Sequence, residues 1–67
     1  MIKPEIGINA GEIWQFIDTN GEKSFSEIEK ALSMKKADVL MALGWLAREN
    51  KIFFFKEKNT MRVSLIF

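Results

Sequence analysis

Five basic side chains in the second half of the chain could bind an anionic partner. Lys35 and Lys36 are adjacent, and Lys56, Lys58 and Arg62 lie close together near the C-terminus. Ammonium and guanidinium groups bind nucleic-acid phosphates by charge, so these residues predict contacts that are salt-sensitive and do not read sequence. Lysines kept on the surface for solubility are an alternative explanation, and the sequence leaves it open.

The formal net charge of +1 conceals a difference between the two halves of the chain. Residues 1–34 carry three lysines and six carboxylates, or −3, whereas residues 35–67 carry seven basic and three acidic side chains, or +4. Such an asymmetry can mark a face for an anionic partner, although ordinary mixed surfaces also produce it.

Residue types that commonly catalyse reactions are scarce. The chain has no His, Cys or Tyr, so most of the usual general bases and nucleophiles are absent and no serine has a His to activate it. A zinc or iron site would have to be built from carboxylates alone, and no glycine-rich phosphate loop occurs. We therefore expect a protein that is not an enzyme and holds neither a cofactor nor a metal.

The first helix is predicted from a start signal and an end signal. Asn9, with Glu12 three residues later, has the spacing of a capping box. The helix is expected to run to about Thr19, because Asn20 and Gly21 both tolerate the left-handed conformation that ends a helix.

Two further helices follow, joined by a tight turn at residues 33–34. Ser26 and Glu29 repeat the capping-box spacing and predict the start of a short second helix. A third helix is expected from Lys36 to Glu49, with Asn50 as a left-handed cap. Before helix two, "KSF" is long enough only for a small strand.

The last segment, "KIFFFKEKNTMRVSLIF", predicts a β-hairpin with its loop at Glu57–Thr60. The expected pairs are Lys56 with Met61, Phe54 with Val63, and Ile52 with Leu65. Any even loop length preserves this alternation of faces. The core face should hold Ile52, Phe54, Val63 and Leu65, and the more exposed outer face should hold Phe53, Phe55, Arg62, Ser64 and Ile66.

The third helix contains nine consecutive nonpolar residues, "VLMALGWLA", from Val39 to Ala47. The helical spacing predicts a core stripe of Val39, Ala42, Leu43 and Leu46. We expect the hairpin to cover Trp45 and to leave Leu40 and Met41 partly exposed. An uncovered apolar patch on a small protein favours a partner surface, so Leu40, Met41, Phe53, Phe55 and Ile66 are candidates for self-association or for contact with another protein.

The predicted order is helix, short strand, two helices joined by a tight turn, and a C-terminal hairpin. This is an α+β winged helix-turn-helix arrangement, expected as one domain over residues 1–67. The stretches "IGINAGEIWQFI" and "MALGWLAREN" resemble a family of stand-alone winged helix-turn-helix domains from bacteria and archaea, largely of unknown function, and the resemblance spans Ile6 to Leu65.

The resemblance implies a fold, and winged-helix domains often place helix three in the DNA major groove and the wing on the backbone. We therefore expect duplex DNA binding in transcription regulation, mainly through backbone contacts. The alternative is a protein-interaction or homodimerising module on the same scaffold. With no leader-like start and no apolar run near 20 residues, we expect a soluble, cytoplasmic protein without a membrane segment.

Overall fold

The computed structural model of the chain describes residues 4–66. Three helices and three strands follow one another as α1 (Pro4–Asn20), β1 (Lys23–Ser24), α2 (Phe25–Leu32), α3 (Lys36–Arg48), β2 (Ile52–Glu57) and β3 (Thr60–Leu65). This order confirms the predicted α+β winged helix-turn-helix class. The terminal residues 1–3 and 67, which the single-domain prediction includes, lie outside the described part.

The strands form one antiparallel sheet in the order β1-β3-β2, so β3 is the central strand. The predicted hairpin register is confirmed at all three expected pairs, Lys56 with Met61, Phe54 with Val63 and Ile52 with Leu65. Glu57 also pairs with Thr60, which shortens the turn to Lys58 and Asn59. We call β2, β3 and this two-residue turn the wing.

A single apolar cluster joins the helices to the inner face of the sheet. The predicted α3 stripe is confirmed, and it packs with residues from the other elements: Ala10, Ile13, Ile17, Ile28, Val39, Ala42, Leu43, Leu46, Ile52, Val63 and Leu65. Trp45 is half-buried against this cluster, as expected. Because both strands of the wing contribute to the cluster, the base of the wing is fixed to the helices.

The predicted start of α1 is wrong. Asn9 lies inside the helix, which begins five residues earlier at Pro4. Proline suits the first helical position because its fixed φ is already helical and its missing N–H is not needed there. The buried residues of the helix are Ala10, Ile13 and Ile17, all of which follow Asn9. The predicted end is confirmed: Gly21 adopts φ 85° and its N–H donates to the carbonyl of Ile17.

The predicted cap of α2 is also wrong, by two residues. Ser24 rather than Ser26 is the N-cap: its Oγ accepts the N–H of Glu27 at 3.2 Å, and the Glu27 carboxylate accepts the Ser24 N–H at 2.8 Å. Ser24 also pairs with Arg62 across β1 and β3. The strand pairing therefore fixes where α2 begins.

Two aromatic residues of β2 differ from the predicted exposure. Phe54 was expected in the core, yet it is 39% exposed, and its ring makes an edge contact with Phe25, with centroids 5.8 Å apart. Phe55 was expected to be more exposed than Phe54, but it is half-buried and therefore less exposed than expected. Alternation gave the correct faces, but the outer half of the wing extends beyond the helices that cover its base.

None of the helices within residues 4–66 combines the length and apolarity needed to cross a membrane.

Candidate nucleic-acid interface

Two lysines stand at the start of α3. Lys35 is the N-cap residue, with φ −69° and ψ 149°, and its side chain makes no capping hydrogen bond. Lys36 is the first helical residue, and both side chains are exposed. The first N–H groups of a helix lack intrahelical acceptors and carry partial positive charge, so two cations here are unfavourable for the helix itself. The same arrangement suits a bound anion.

A second pair of lysines lies at the turn of the wing. Lys56 and Lys58 are exposed, and Lys58 and Asn59 both have positive φ, 51° and 65°. Two positive values at the centre of a two-residue hairpin turn are the signature of type I′, which favours Asn, Asp or Gly. Lysine at the first of these positions is conformationally costly and puts a cation at the tip of the wing.

A cleft of about 320 Å³ lies between the wing turn and the N-terminal ends of α2 and α3. Its lining includes Ser26, the carboxylate residue Glu29 and Lys36 on the helix side, and Asn59, Thr60 and Met61 on the wing side. Of the five predicted basic residues, only Lys36 lines it; Lys35 is the next residue in the chain, and Lys56 pairs with Met61. Lys36 therefore lines the cleft, while Lys35, Lys56 and Lys58 are neighbours of lining residues along the chain or across the hairpin.

The polar lining residues of this cleft were missed by the sequence analysis. Ser26 was interpreted as a helix cap, and Asn59 and Thr60 only as loop residues. Their hydroxyl and amide groups can donate hydrogen bonds to phosphate oxygens. For Asn59 and Thr60, the position beside two lysines in the hairpin loop was the signal available in the sequence.

Arg62 has different surroundings from the four lysines. Its Nε lies 3.6 Å from Glu22 Oε1 and 3.9 Å from Glu57 Oε1, and its Nη2 lies 3.6 Å from Glu27 Oε1. Nη2 also donates to the backbone carbonyl of Glu22 at 3.5 Å. Within residues 4–66 every ion pair involves Arg62, so the four lysines have no carboxylate partner there.

The carboxylate of Glu27 is stabilised in its charged form. The backbone N–H of Ser24 donates to it and is the largest cause of its lowered pKa, followed by the hydrogen bond with the Ser24 side chain and the charge of Arg62.

In the described part of the chain, no group of three or more acidic side chains is placed to hold a metal ion.

The exposed face of α3 is apolar. Leu40 is 44% exposed and Met41 is 50% exposed, as predicted, and Ala37 and Gly44 are exposed beside them. None of these four side chains can donate a hydrogen bond, and the Met41 thioether is only a weak acceptor. Base edges are read by paired hydrogen bonds, so this face lacks the groups that distinguish one base pair from another.

The outer face of the sheet carries the remaining predicted partner residues. Phe53 is 47% exposed, and its ring lies 5.9 Å from that of Phe55. Ile66, just after β3, is exposed as well. This face and the exposed face of α3 are two separate apolar surfaces.

A second groove, of about 250 Å³, runs between α1 and α3 on a side that the sequence analysis did not single out. Trp14 and Trp45 line it together with Gly7 and Gly11, and a Cβ at either glycine would meet no atom within 4 Å. Arg48 lies over Trp45, with its Cζ 5.6 Å from the ring centroid. This groove does not include any of the predicted basic contacts.

Comparison with known proteins identifies relatives over nearly the whole chain. The family described as "Winged helix-turn-helix domain (DUF2582)" matches residues 1–65. The uncharacterized protein MJ1608 of Methanocaldococcus jannaschii is 44% identical over 64 residues, which cover 91% of this chain and 90% of that protein.

Two solved structures are similar in fold. The protein BT2368 from Bacteroides thetaiotaomicron superposes with a TM-score of 0.85 and 28% identity, covering 97% of this chain and 79% of that one. The Zalpha domain of PKZ from Carassius auratus, solved in complex with Z-DNA, superposes with a TM-score of 0.79 and 26% identity over 91% of this chain and 97% of that one.

Proposed function

The chain belongs to the DUF2582 family of winged helix-turn-helix domains, as its two motifs predicted, and we propose that it binds duplex DNA through the sugar–phosphate backbone. The observation that carries this proposal is the cleft of about 320 Å³ between α3 and the wing, which Lys36 lines together with residues of the wing turn. The similar Zalpha domain in complex with Z-DNA supports DNA as the ligand.

The contacts are assigned to the two lysine pairs and the polar groups between them. Lys35 and Lys36 each contact a phosphate group near the start of α3, and Lys56 and Lys58 each contact another at the wing. Ser26 and Asn59 add hydrogen bonds to phosphate or sugar oxygens from within the cleft. Such contacts fix the position of a protein on a duplex without reading its sequence.

The apolar face of α3 lacks the hydrogen-bonding groups needed to recognise particular bases. Ala37, Leu40, Met41 and Gly44 offer van der Waals contact alone, so binding follows the shape and charge of the duplex rather than its base sequence. A role in transcription regulation then requires a second source of sequence specificity. A partner protein or a second copy of the chain would supply it.

Four lysine–phosphate contacts set a measurable salt dependence. Each contact contributes about −0.9 to the slope of log K against log[salt], so four give about −3.6. Between roughly 50 and 200 mM salt the affinity should therefore fall about 100-fold.

The test is a fluorescence-anisotropy titration of short labelled duplexes at several salt concentrations. Two unrelated right-handed sequences and one Z-form duplex are compared, because the similar Zalpha domain was solved with Z-DNA. The right-handed duplexes should bind with equal affinity. A large preference between their sequences would contradict backbone binding, and binding of the Z-form alone would assign the cleft to a left-handed backbone.

Charge reversal at the proposed contacts provides the matched variants. Lys36→Glu and the double variant Lys56→Glu/Lys58→Glu should each weaken binding to every duplex. Lys51→Glu makes the same charge change as Lys36→Glu at the opposite end of the wing, just before Ile52, and should have a much smaller effect. Equal losses in Lys51→Glu and Lys36→Glu would indicate attraction by net charge alone and no defined interface.

A protein-interaction module is the second candidate, and the exposure of Leu40 and Met41 favours it. Exposed apolar side chains grouped on one helix face are typical of a contact surface for another chain. Phe53, Phe55 and Ile66 form a second such surface on the sheet. If no duplex binds even at low salt while wild type self-associates in sedimentation, this candidate replaces DNA binding.

A further inference from the structure

We propose that Arg62 is a positioning residue, which anchors the wing to the N-terminal end of α2 and does not contact phosphate. The anchoring role stands on the structure of the domain alone. The statement about phosphate rests on the proposed function.

Arg62 occupies the middle of the central strand, where three segments meet. Across one side of β3 it pairs with Ser24, the N-cap of α2, and across the other side it pairs with Phe55 of the wing. Its guanidinium group lies near the carboxylates of Glu22 before β1, Glu27 in the first turn of α2 and Glu57 at the end of β2. One side chain thus connects the tip of the wing to the helix-turn-helix.

The guanidinium group is already engaged. Three carboxylates lie within 4 Å of it, so the local charge around Arg62 sums to about −2 and repels a phosphate. The Arg62 side chain is 22% exposed, and its Nε is buried with no hydrogen-bond acceptor. A phosphate contact would have to displace carboxylates that are held nearby by the fold.

The face of the sheet leads to the same conclusion. Residues that pair directly share one face, and successive residues of a strand alternate between faces. Lys56 pairs with Met61, which lines the proposed DNA cleft, whereas Arg62 is the next residue and belongs to the opposite face. Arg62 is therefore directed away from the surface that holds Lys56.

Without Arg62, the wing loses its only ionic connection to α2 within residues 4–66. The three carboxylates would then lose the guanidinium group that lies within 4 Å of each of them. The base of the wing is held by Ile52, Val63 and Leu65 in the core, so the outer half should loosen while the base stays in place.

The experiment compares native-state amide hydrogen exchange in wild type, Arg62→Gln and Glu57→Gln, with Glu12→Gln as control. Glu12 is an exposed carboxylate on α1 with no ion pair to Arg62. Exchange at residues 55–57 and 60–62 should rise about three- to tenfold in Arg62→Gln, the range expected when partly exposed ion pairs are lost. Glu57→Gln should give a smaller rise, and Glu12→Gln none.

Amides in the middle of α3 serve as the internal reference for global unfolding. If exchange in α3 rises as much as in the wing, Arg62→Gln destabilises the whole domain and the anchoring role is wrong. If Arg62→Gln does not fold, Glu57→Gln decides the question, because it leaves the capping box of α2 intact. No selective rise in Glu57→Gln would then overturn the inference.

The salt dependence of DNA binding tests the second half of the inference. Arg62→Gln should keep the slope of log K against log[salt] at the wild-type value, while Lys58→Gln should reduce its magnitude by about 0.9. A reduction of about 0.9 in Arg62→Gln would show that Arg62 contacts phosphate. If no variant binds DNA, the proposed function fails, and the exchange measurement still decides the anchoring role.

Discussion

Two substitutions, two residues apart on α3, separate its buried side from its free side. Leu43 is 1% exposed and lies in the apolar cluster between the helices and the sheet, whereas Met41 is 50% exposed on the other side of the helix. We expect Leu43→Ala to destabilise the domain strongly and Met41→Gln to affect its stability very little.

The size of the effect follows from burial. Replacing a fully buried leucine with alanine costs about 2–5 kcal/mol, part of it from the cavity left behind. A chain of this length has a free energy of unfolding of about 3–10 kcal/mol, at about 0.05–0.15 kcal/mol per residue. Leu43→Ala therefore removes a large part of the total, and each kcal/mol lowers Tm by about 4–8 °C. An exposed substitution such as Met41→Gln should change stability by about 0.5 kcal/mol or less.

The assay is thermal and urea unfolding of wild type and both variants, together with sedimentation of each protein. If the free face of α3 is a contact surface, Met41→Gln should reduce self-association or partner binding while Tm stays near the wild-type value. If Met41→Gln destabilises the monomer as much as Leu43→Ala does, the exposed patch does not exist in solution and the whole nonpolar segment is core.

Three further predictions concern the cap of α2, the carboxylate of Glu27 and two glycines. Ser24→Ala should lower the free energy of unfolding by about 0.5–2 kcal/mol in urea, and Ser26→Ala by less than about 0.5 kcal/mol; equal losses would contradict the cap assignment. Because the pKa of Glu27 is lowered in the folded state, its contribution to stability is present above the unfolded pKa and is lost as the pH falls through the folded pKa. The urea midpoint should therefore decrease as the pH is lowered below 4.5, the ordinary pKa of a glutamate. Glu27→Gln should flatten that part of the pH profile, and an unchanged profile would refute this. Gly21→Ala should lower the free energy of unfolding by about 1–2 kcal/mol, because the φ of Gly21 is 85°. Gly44→Ala, in open space on α3, should raise it by up to about 1 kcal/mol. Opposite signs in thermal unfolding would contradict both.

The hairpin and α3 could be predicted from the sequence because their signals are local and repeat. Met61, Val63 and Leu65 alternate cleanly with Arg62 and Ser64, and any even loop length keeps the same side chains on the same face. The core stripe of α3 follows in the same way from a spacing of three and four residues. Both predictions needed no knowledge of distant parts of the chain.

The helix starts could not be predicted because two signals competed in each case. In "SFSEIE", both Ser24 and Ser26 have a glutamate three residues later, and only the pairing of Ser24 with Arg62 on β3 decides between them. Asn9 has a capping pattern too, yet it lies inside a helix that begins at Pro4, a residue that suits the first helical position. In α2, a strand pairing that is distant in sequence chose between two equal local signals.

The candidate site was predictable in its charges and not in its geometry. Lys36 and the wing lysines were visible as basic residues in the predicted helix start and loop. The ion pairs of Arg62 join it to Glu22, 40 residues earlier, and no local pattern reveals them. Alternation likewise assigned Phe54 to the core face but could not show that the outer wing extends beyond the helices.

The most direct test of backbone-mediated DNA binding is a residue-by-residue NMR titration with a generic duplex at low and moderate salt. At low salt, amide shifts should concentrate at the start of α3, around Lys35 and Lys36, and at the wing turn between Lys56 and Met61. The shifts should be the same for an unrelated duplex sequence, and the affinity should fall about 100-fold between roughly 50 and 200 mM salt. The absence of shifts at low salt, or shifts confined to the outer sheet face around Phe53, would contradict the proposed interface.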